Sequence, residues 1–301
     1  MKPSTTKKNN IFPYILLFVQ PIFMATNIIV ARGGVEYVPP ISLAFWRWLF
    51  VFLILLLFNY SVLRKDLIKI NNKKEYFKLF ILGASGCGIC GAFPFIAGQT
   101  TTVVNMGIIY TSSPIFIILI SCLFFREKFN LIKIIGLLLC LIGVFIIIIR
   151  GDINLLLNLT FNPGDIWMLG AAIGWAIYSI YLYNWKSNLK VFPRFTLIAL
   201  FGAISLFPFY LFEEINFVST TFNADFFKWT LFAAISPGII AFSLYTITQK
   251  YLGATVTGFT LYLFTIYGSF FGIIFFGETL QYFHYLGALL VFMGIYLVKK
   301  K

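Results

Sequence analysis

Ten runs of apolar residues, each about twenty long, alternate with short polar links along the chain. About twenty residues at helical rise cross the hydrocarbon core of a bilayer. The pattern predicts helices over 11–31, 39–60, 77–98, 103–125, 131–149, 165–184, 195–212, 228–248, 254–276 and 281–298. Links as short as Arg126 to Asn130 make those neighbours antiparallel hairpins. Pro39-Pro40 opens the second helix and Pro163-Gly164-Asp165 the sixth, where missing amide donors cost little. The run after the polar stretch Met1–Asn10 has no small-residue cleavage site, so it reads as a first span and not as a removed signal.

The polar links differ in sign. One set carries Lys2, Lys7, Lys8, Arg64, Lys65, Lys69, Lys73, Lys74, Lys78, Arg126, Lys128, Lys133, Lys186, Lys190, Arg194, Lys250 and Lys299 to Lys301. The other carries Arg32, Arg150 and Lys228 with Glu36, Asp152, Glu213, Glu214 and Asp225. Basic loops stay in the cytoplasm, which puts both termini there.

A pattern occurs twice. Glu127, Gly136 and Gly143 return as Glu278, Gly287 and Gly294, each 151 residues downstream. The same offset pairs Gly107 with Gly258 and Ser85 with Ser236. A repeat half as long as the chain means two copies of one folding unit. Each copy then holds five spans, over 11–149 and 165–299. An odd number of spans turns the second copy upside down, and inverted repeats are typical of alternating-access transporters.

Composition agrees: 60% of residues are hydrophobic and 11% charged, outside the range of soluble domains. The net charge of +13 is spread over many links, so it reports topology and gives no argument for nucleic acid. Cys87, Cys90, Cys122 and Cys140 all lie in apolar runs and read as packing residues. His284 is the sole histidine and builds no metal site alone, so no metal and no cofactor is expected.

Other residues carry a resemblance. In the first half these are Pro40 and Arg47, Pro114, Glu127, Gly136 and Gly143. In the second they are Gly164-Asp165, Trp175-Ala176-x-Tyr178, Ser236, Gly253-Ala254, Gly277-Glu278, Gly287 and Gly294. In order and spacing the chain resembles a ten-helix, EamA-type member of the drug/metabolite transporter superfamily, with two EamA units. It departs at Thr265, where the second unit often has proline as the first does at Pro114. The resemblance implies an all-α integral membrane fold, two five-helix inverted-topology repeats around a central cavity, and transport of a small-molecule solute.

Arg47 is the one formal charge well inside a span, roughly 12 Å below the end of the second helix. It reads either as an anchor for a solute carboxylate or phosphate, or as a packing residue bonded to backbone carbonyls, and the second is preferred. Glu127 and Glu278 are gate or proton-coupling candidates, with hairpin structure the preferred role. Gly136 with Gly143, and Gly287 with Gly294, share helix faces and are expected to make contacts within each repeat. Ser85 in a glycine-rich third helix and Ser236-Pro237-Gly238 in the eighth mark matching interruptions, pointing to the site or the bending elements. The cavity candidates are Trp175 first, then Asn27 and Tyr178, then Tyr110, Tyr245, Tyr262, Ser85, Ser236 and Arg47.

The expected function is a permease, read as an exporter, for amino acids or related neutral or zwitterionic solutes. It would sit in a bacterial inner (plasma) membrane. The alternative is an integral-membrane enzyme acting on lipids or prenyl groups. No span holds two carboxylates, which disfavours that reading. The pattern distinguishes neither monomer nor homodimer.

Overall fold

The computed structural model describes residues 11–68, 73–100, 109–110, 112–125, 130–148, 163–276 and 282–299. Among them every regular element is helical. Ten helices appear in the predicted order, five of them (40–67, 73–97, 163–184, 191–216 and 224–252) long and apolar enough as described to cross a membrane: α1 (Phe12–Ile29), α2 (Pro40–Leu67), α3 (Lys73–Ala97), α4 (Ser113–Phe125) and α5 (Leu131–Ile148) form the first half. α6 (Pro163–Asn184), α7 (Val191–Asn216), α8 (Ala224–Leu252), α9 (Thr260–Phe276) and α10 (Tyr282–Lys299) form the second. The chain is an all-α membrane protein built from two repeats.

Local chemistry sets several ends. Pro40 starts α2 directly after Pro39. Asn223 caps α8, its side chain accepting the Phe226 amide at 2.9 Å. Gly253 ends α8 with φ of +84°, a left-handed conformation that favours glycine, and a short turn, Ala254–Gly258, leads into α9. Arg194 closes the end of α6, donating to the Leu182 and Trp185 carbonyls at 3.2 and 2.7 Å.

Helices in lipid gain nothing from hiding apolar surface from one another, so close approach of backbones has to hold them. α5 and α10 meet on their glycines. A Cβ on Gly143 would stand 2.6 Å from the Gly287 carbonyl oxygen, and one on Gly294 would stand 2.5 Å from that of Gly136. The pairing 143 with 287 and 136 with 294 makes the helices antiparallel. Cys140 Sγ lies 3.5 Å from the Val291 carbonyl oxygen, and these two positions are themselves 151 apart. Equivalent residues touch each other, so a pseudo-twofold axis passes between the helices. The glycine faces therefore join the two repeats. The expectation of contacts within each repeat is corrected: seven-residue spacing defines a face, but the partner comes from the symmetry.

α2 and α7 are a second pair of equivalents that pack together, and each ends against the other's start. The Glu213 carboxylate accepts the Ile41 and Ser42 amides at 3.0 and 2.6 Å and the Ser42 hydroxyl at 2.8 Å. At the opposite end the Asp66 carboxylate accepts the Lys190 amide at 3.2 Å. Both acids are buried. Each offers negative charge to unsatisfied donors at a helix N-terminus. Glu213 is not in a loop, because α7 runs to Asn216 and carries it in the last turn. Likewise α2 runs past residue 60 to Leu67 and brings Asp66 with it.

Regular α-helix gives way to wider π turns at Val30–Gly34, Gly83–Ile89 and Ala234–Ile240. The last two are 151 residues apart at both ends. The matching interruptions of the third and eighth helices are thus one structural feature present twice. Pro237 has no amide to donate, so the hydrogen-bond ladder of α8 cannot use that position, and a π turn takes up the extra residue.

Candidate functional site

The π turn of α8 leaves a carbonyl open. In a regular helix the Pro237 oxygen would take the Ala241 amide. Here that amide turns to Ser236 and Gly238. Arg47 fills the gap, its Nη2 donating to the Pro237 oxygen at 3.2 Å. Its Nη1 donates to Asn27 Oδ1 at 2.9 Å. Next to Asn27, the Thr26 hydroxyl shares a 2.8 Å hydrogen bond with Ser236. One guanidinium thus ties α1, α2 and α8 together at the point where α8 departs from regular geometry.

The other half holds no such arrangement. Shifted by 151 residues, Asn27, Arg47 and Pro237 become Tyr178, Ile198 and Gly86. Instead of a polar fork there is an aromatic contact: a Cβ on Gly86 would overlap the Tyr178 ring. The two halves share a backbone and differ in chemistry where they meet.

Aromatic rings fill the space beside Arg47. Its guanidinium carbon lies 4.8 Å from the Trp48 ring centroid, within reach of the ring's negative face. Phe242 of α8 sits at the centre, with centroids 4.9 Å from Trp48, 5.4 Å from Trp175, 5.6 Å from Tyr178 and 5.9 Å from Phe195. The Tyr245 ring lies tilted against Trp175, with centroids 4.9 Å apart, and its hydroxyl hydrogen-bonds Ser179. Gln249 donates to the Ser179 carbonyl and hydroxyl at 2.7 and 2.8 Å. Trp48, Trp175, Tyr178 and Tyr245 are at most 1% exposed, so the centre is closed in this conformation. Among the buried donors without a partner in the described residues are Arg47 Nε and Trp48 Nε1, with Trp175 Nε1 and the Tyr178 hydroxyl beside them. A buried donor left unpaired is costly, and an acceptor brought to one of them would relieve that cost.

The structure brings Arg47, Asn27, Ser236 and Pro237 into one cluster and Trp175, Tyr178 and Tyr245 into the cluster beside it. Tyr110, just before α4, is buried, packs 6.3 Å from Phe264 and lies within electrostatic reach of Arg47. Ser85 sits on the first-half π turn, where its hydroxyl is spent on the Ile81 carbonyl of its own helix at 2.7 Å. Tyr262 lies apart, packed with Leu137, Cys140 and Val291 against the α5–α10 pair. Glu127 and Glu278 lie outside the described residues.

Trp48, Phe242, Phe195, Thr26 and Ser179 were not singled out from the sequence. Phe242 and Phe195 are two among 37 phenylalanines, and nothing local distinguishes them. Trp48 and Thr26 had a usable signal, each being the neighbour of a residue already chosen.

Inverted five-helix repeats, π turns at matching places and a buried polar fork between them define a multi-pass membrane transporter. The family model described as EamA-like transporter family matches residues 11–149 and 162–299, and the chain belongs to that family. An uncharacterized transporter of Archaeoglobus fulgidus is 26% identical over 292 residues, covering 96% of this chain and 97% of that protein. The uncharacterized transporter YyaM of Bacillus subtilis is 24% identical, covering 94% of this chain and 92% of that protein. A solved crystal structure superposes with a TM-score of 0.74 at 16% identity, covering 95% of this chain and 96% of that one, a likeness of fold.

Proposed function

We propose that the chain carries small neutral or zwitterionic metabolites, amino acids among them, by alternating access, and that it works as an exporter. Its place is the bacterial plasma membrane, with both termini cytoplasmic and 11–149 and 165–299 as the two moving repeats. The observation that carries this reading is the Arg47 fork. An unpaired guanidinium N–H and an unpaired indole N–H belong to the adjacent residues Arg47 and Trp48, and the Trp48 ring packs on Phe242, which also meets Trp175 and Tyr178. Two donors with a positive charge suit a carboxylate, and aromatic faces suit an apolar or cationic remainder. Arg47 has then two roles: it holds α8 to α1 and α2, and it greets the solute.

The repeated π turns support the motion. A wider turn has a weaker ladder and changes register at lower cost than regular helix. The two turns lie at equivalent places in inverted halves, so bending at one and then the other would expose the site to opposite sides in turn. Counterflow of labelled amino acids into proteoliposomes tests the reading. Exchange that disappears on loss of the Arg47 side chain is expected; absence of exchange with every amino acid offered would sink it.

A further inference from the structure

A regular half-helix precedes each of the two matching π turns, Lys73–Leu82 in α3 and Ala224–Ala233 in α8. Each half-helix touches the end of a helix from the other repeat. Where α8 begins, the Trp229 ring lies against the π turn that ends α1. A Cβ on Gly33 would overlap that ring, and one on Gly34 would stand 3.6 Å from it. Tyr37, in the link to α2, stacks on the same ring with centroids 6.4 Å apart. At the opposite end of the bundle, where α3 begins, Lys78 reaches over Trp185, just past the end of α6. Its ammonium lies 5.7 Å from the ring centroid. One turn earlier on α3, the Glu75 carboxylate accepts the Ser187 hydroxyl. Arg194, which closes α6, lies within electrostatic reach of Glu75.

The two contacts occupy equivalent places. Trp229 and Lys78 are 151 residues apart, and so are Trp185 and Gly34. Trp229 and Lys78 each stand five residues ahead of their π turn. The roles are exchanged: α8 supplies the indole at one end, and the end of α6 supplies it at the other. The chemistry differs as well. Among the described residues, ring on glycine and ring on ring cross from α8 to the end of α1. The ammonium of Lys228, 5.5 Å from the Trp229 centroid, belongs to α8 itself. What crosses from α3 to the end of α6 is charged. Salt screens charges near the surface and leaves ring packing in place. A half-helix hinged at a π turn swings away only when its contact lets go. We infer that Trp229 on Gly33 and Gly34, and Lys78 with Glu75 on Trp185 and Ser187, are the latches that shut the two ends of the solute path, the charged one being released by salt. This rests on the alternating-access reading and names the residues that set the balance between its two open states.

Cys87 and Cys90 report the opening. Both are buried at the centre, Cys87 within electrostatic reach of Arg47 and Cys90 of Tyr245. The test adds a membrane-impermeant maleimide to right-side-out and to inside-out vesicles holding the full chain, and maps the labelled cysteines by mass spectrometry. Trp229→Ala should speed labelling of this pair about threefold from one face only. Glu75→Gln with Lys78→Met should do the same from the opposite face only. Gly33→Ala keeps the ring but fills the notch beneath it. It should act as Trp229→Ala does, and decides the matter if that variant does not fold. Raising KCl from about 0.05 to 0.5 M should speed labelling of the wild type from the face that Glu75→Gln with Lys78→Met opens, and change that double variant no further. Contacts that merely stabilise the bundle would give labelling from both faces or from neither, and either result overturns the latches. A wild type indifferent to salt overturns the charged release. Counterflow by the wild type without one-sided labelling leaves the carrier standing and removes the latches. One-sided labelling without counterflow keeps the latches and sinks the proposed solutes.

Discussion

Arg47 should tolerate methionine better than lysine, against the usual ranking of conservative changes. Arg47→Met removes the donors to Asn27 and to the Pro237 carbonyl. An orphaned buried acceptor costs about 1–3 kcal/mol, so two cost about 2–6 kcal/mol. The same change removes a buried guanidinium whose desolvation costs several kcal/mol. The terms are of similar size and opposite sign, so the net change is expected to stay within about 2 kcal/mol. Arg47→Lys keeps the charge but offers one nitrogen to acceptors on two different helices, α1 and α8. It leaves one acceptor orphaned and the charge poorly paired, a loss of about 2–4 kcal/mol. At about 2 °C per kcal/mol for a large domain, lysine should melt several degrees below methionine. Tryptophan fluorescence melts of the purified full chain measure this, with counterflow run in parallel. A lysine variant that melts with the wild type and above methionine would refute the two-acceptor fork. Wild-type exchange by the methionine variant would refute Arg47 as the solute anchor.

Three further outcomes follow from the same geometry. Glu213→Gln removes the charge from the start of α2 and should cost about 1–2 kcal/mol, read as a lower melting temperature, with Asp66→Asn acting in the same direction at the other end. Gly143→Val or Gly294→Val pushes a side chain into a facing carbonyl oxygen and should cost about 1–3 kcal/mol or more, whereas Gly98→Ala, whose nearest neighbour would be 3.4 Å away, should be neutral in the same melt. Pro237→Ala returns an amide to α8 and should firm the π turn, seen as slower hydrogen exchange over 234–240 together with slower counterflow.

The candidate site was legible in part, and the split has a cause. Arg47, Asn27, Trp175 and Tyr178 stand out because a charge, an amide or a deep indole is expensive at membrane depth and needs a reason to be there. Phe242, at the centre of the cluster, looks like any other phenylalanine in a chain holding 37 of them. Tyr262 was grouped with the site because it is a deep tyrosine, yet α9 turns it toward the α5–α10 scaffold. The acids of the α2–α7 pair show the same limit. Glu213 reads as a loop residue until α7 is seen to continue one turn further and deliver it to α2.

By itself the sequence determined the number of spans, their pairing into hairpins and the two-copy plan, because bilayer thickness and backbone hydrogen bonding allow little else for such runs. It also located the interruptions, since proline cannot donate and glycine opens space. Only the tertiary structure decided what the repeated residues do. The repeated glycines came to face those of the other repeat across a pseudo-twofold axis, 143 against 287 and 136 against 294, and not their own repeat. The matching interruptions became π turns, and one open carbonyl found Arg47. Periodicity says which residues share a face; which face meets which is settled by packing, where backbones can approach and buried polar atoms can be paired.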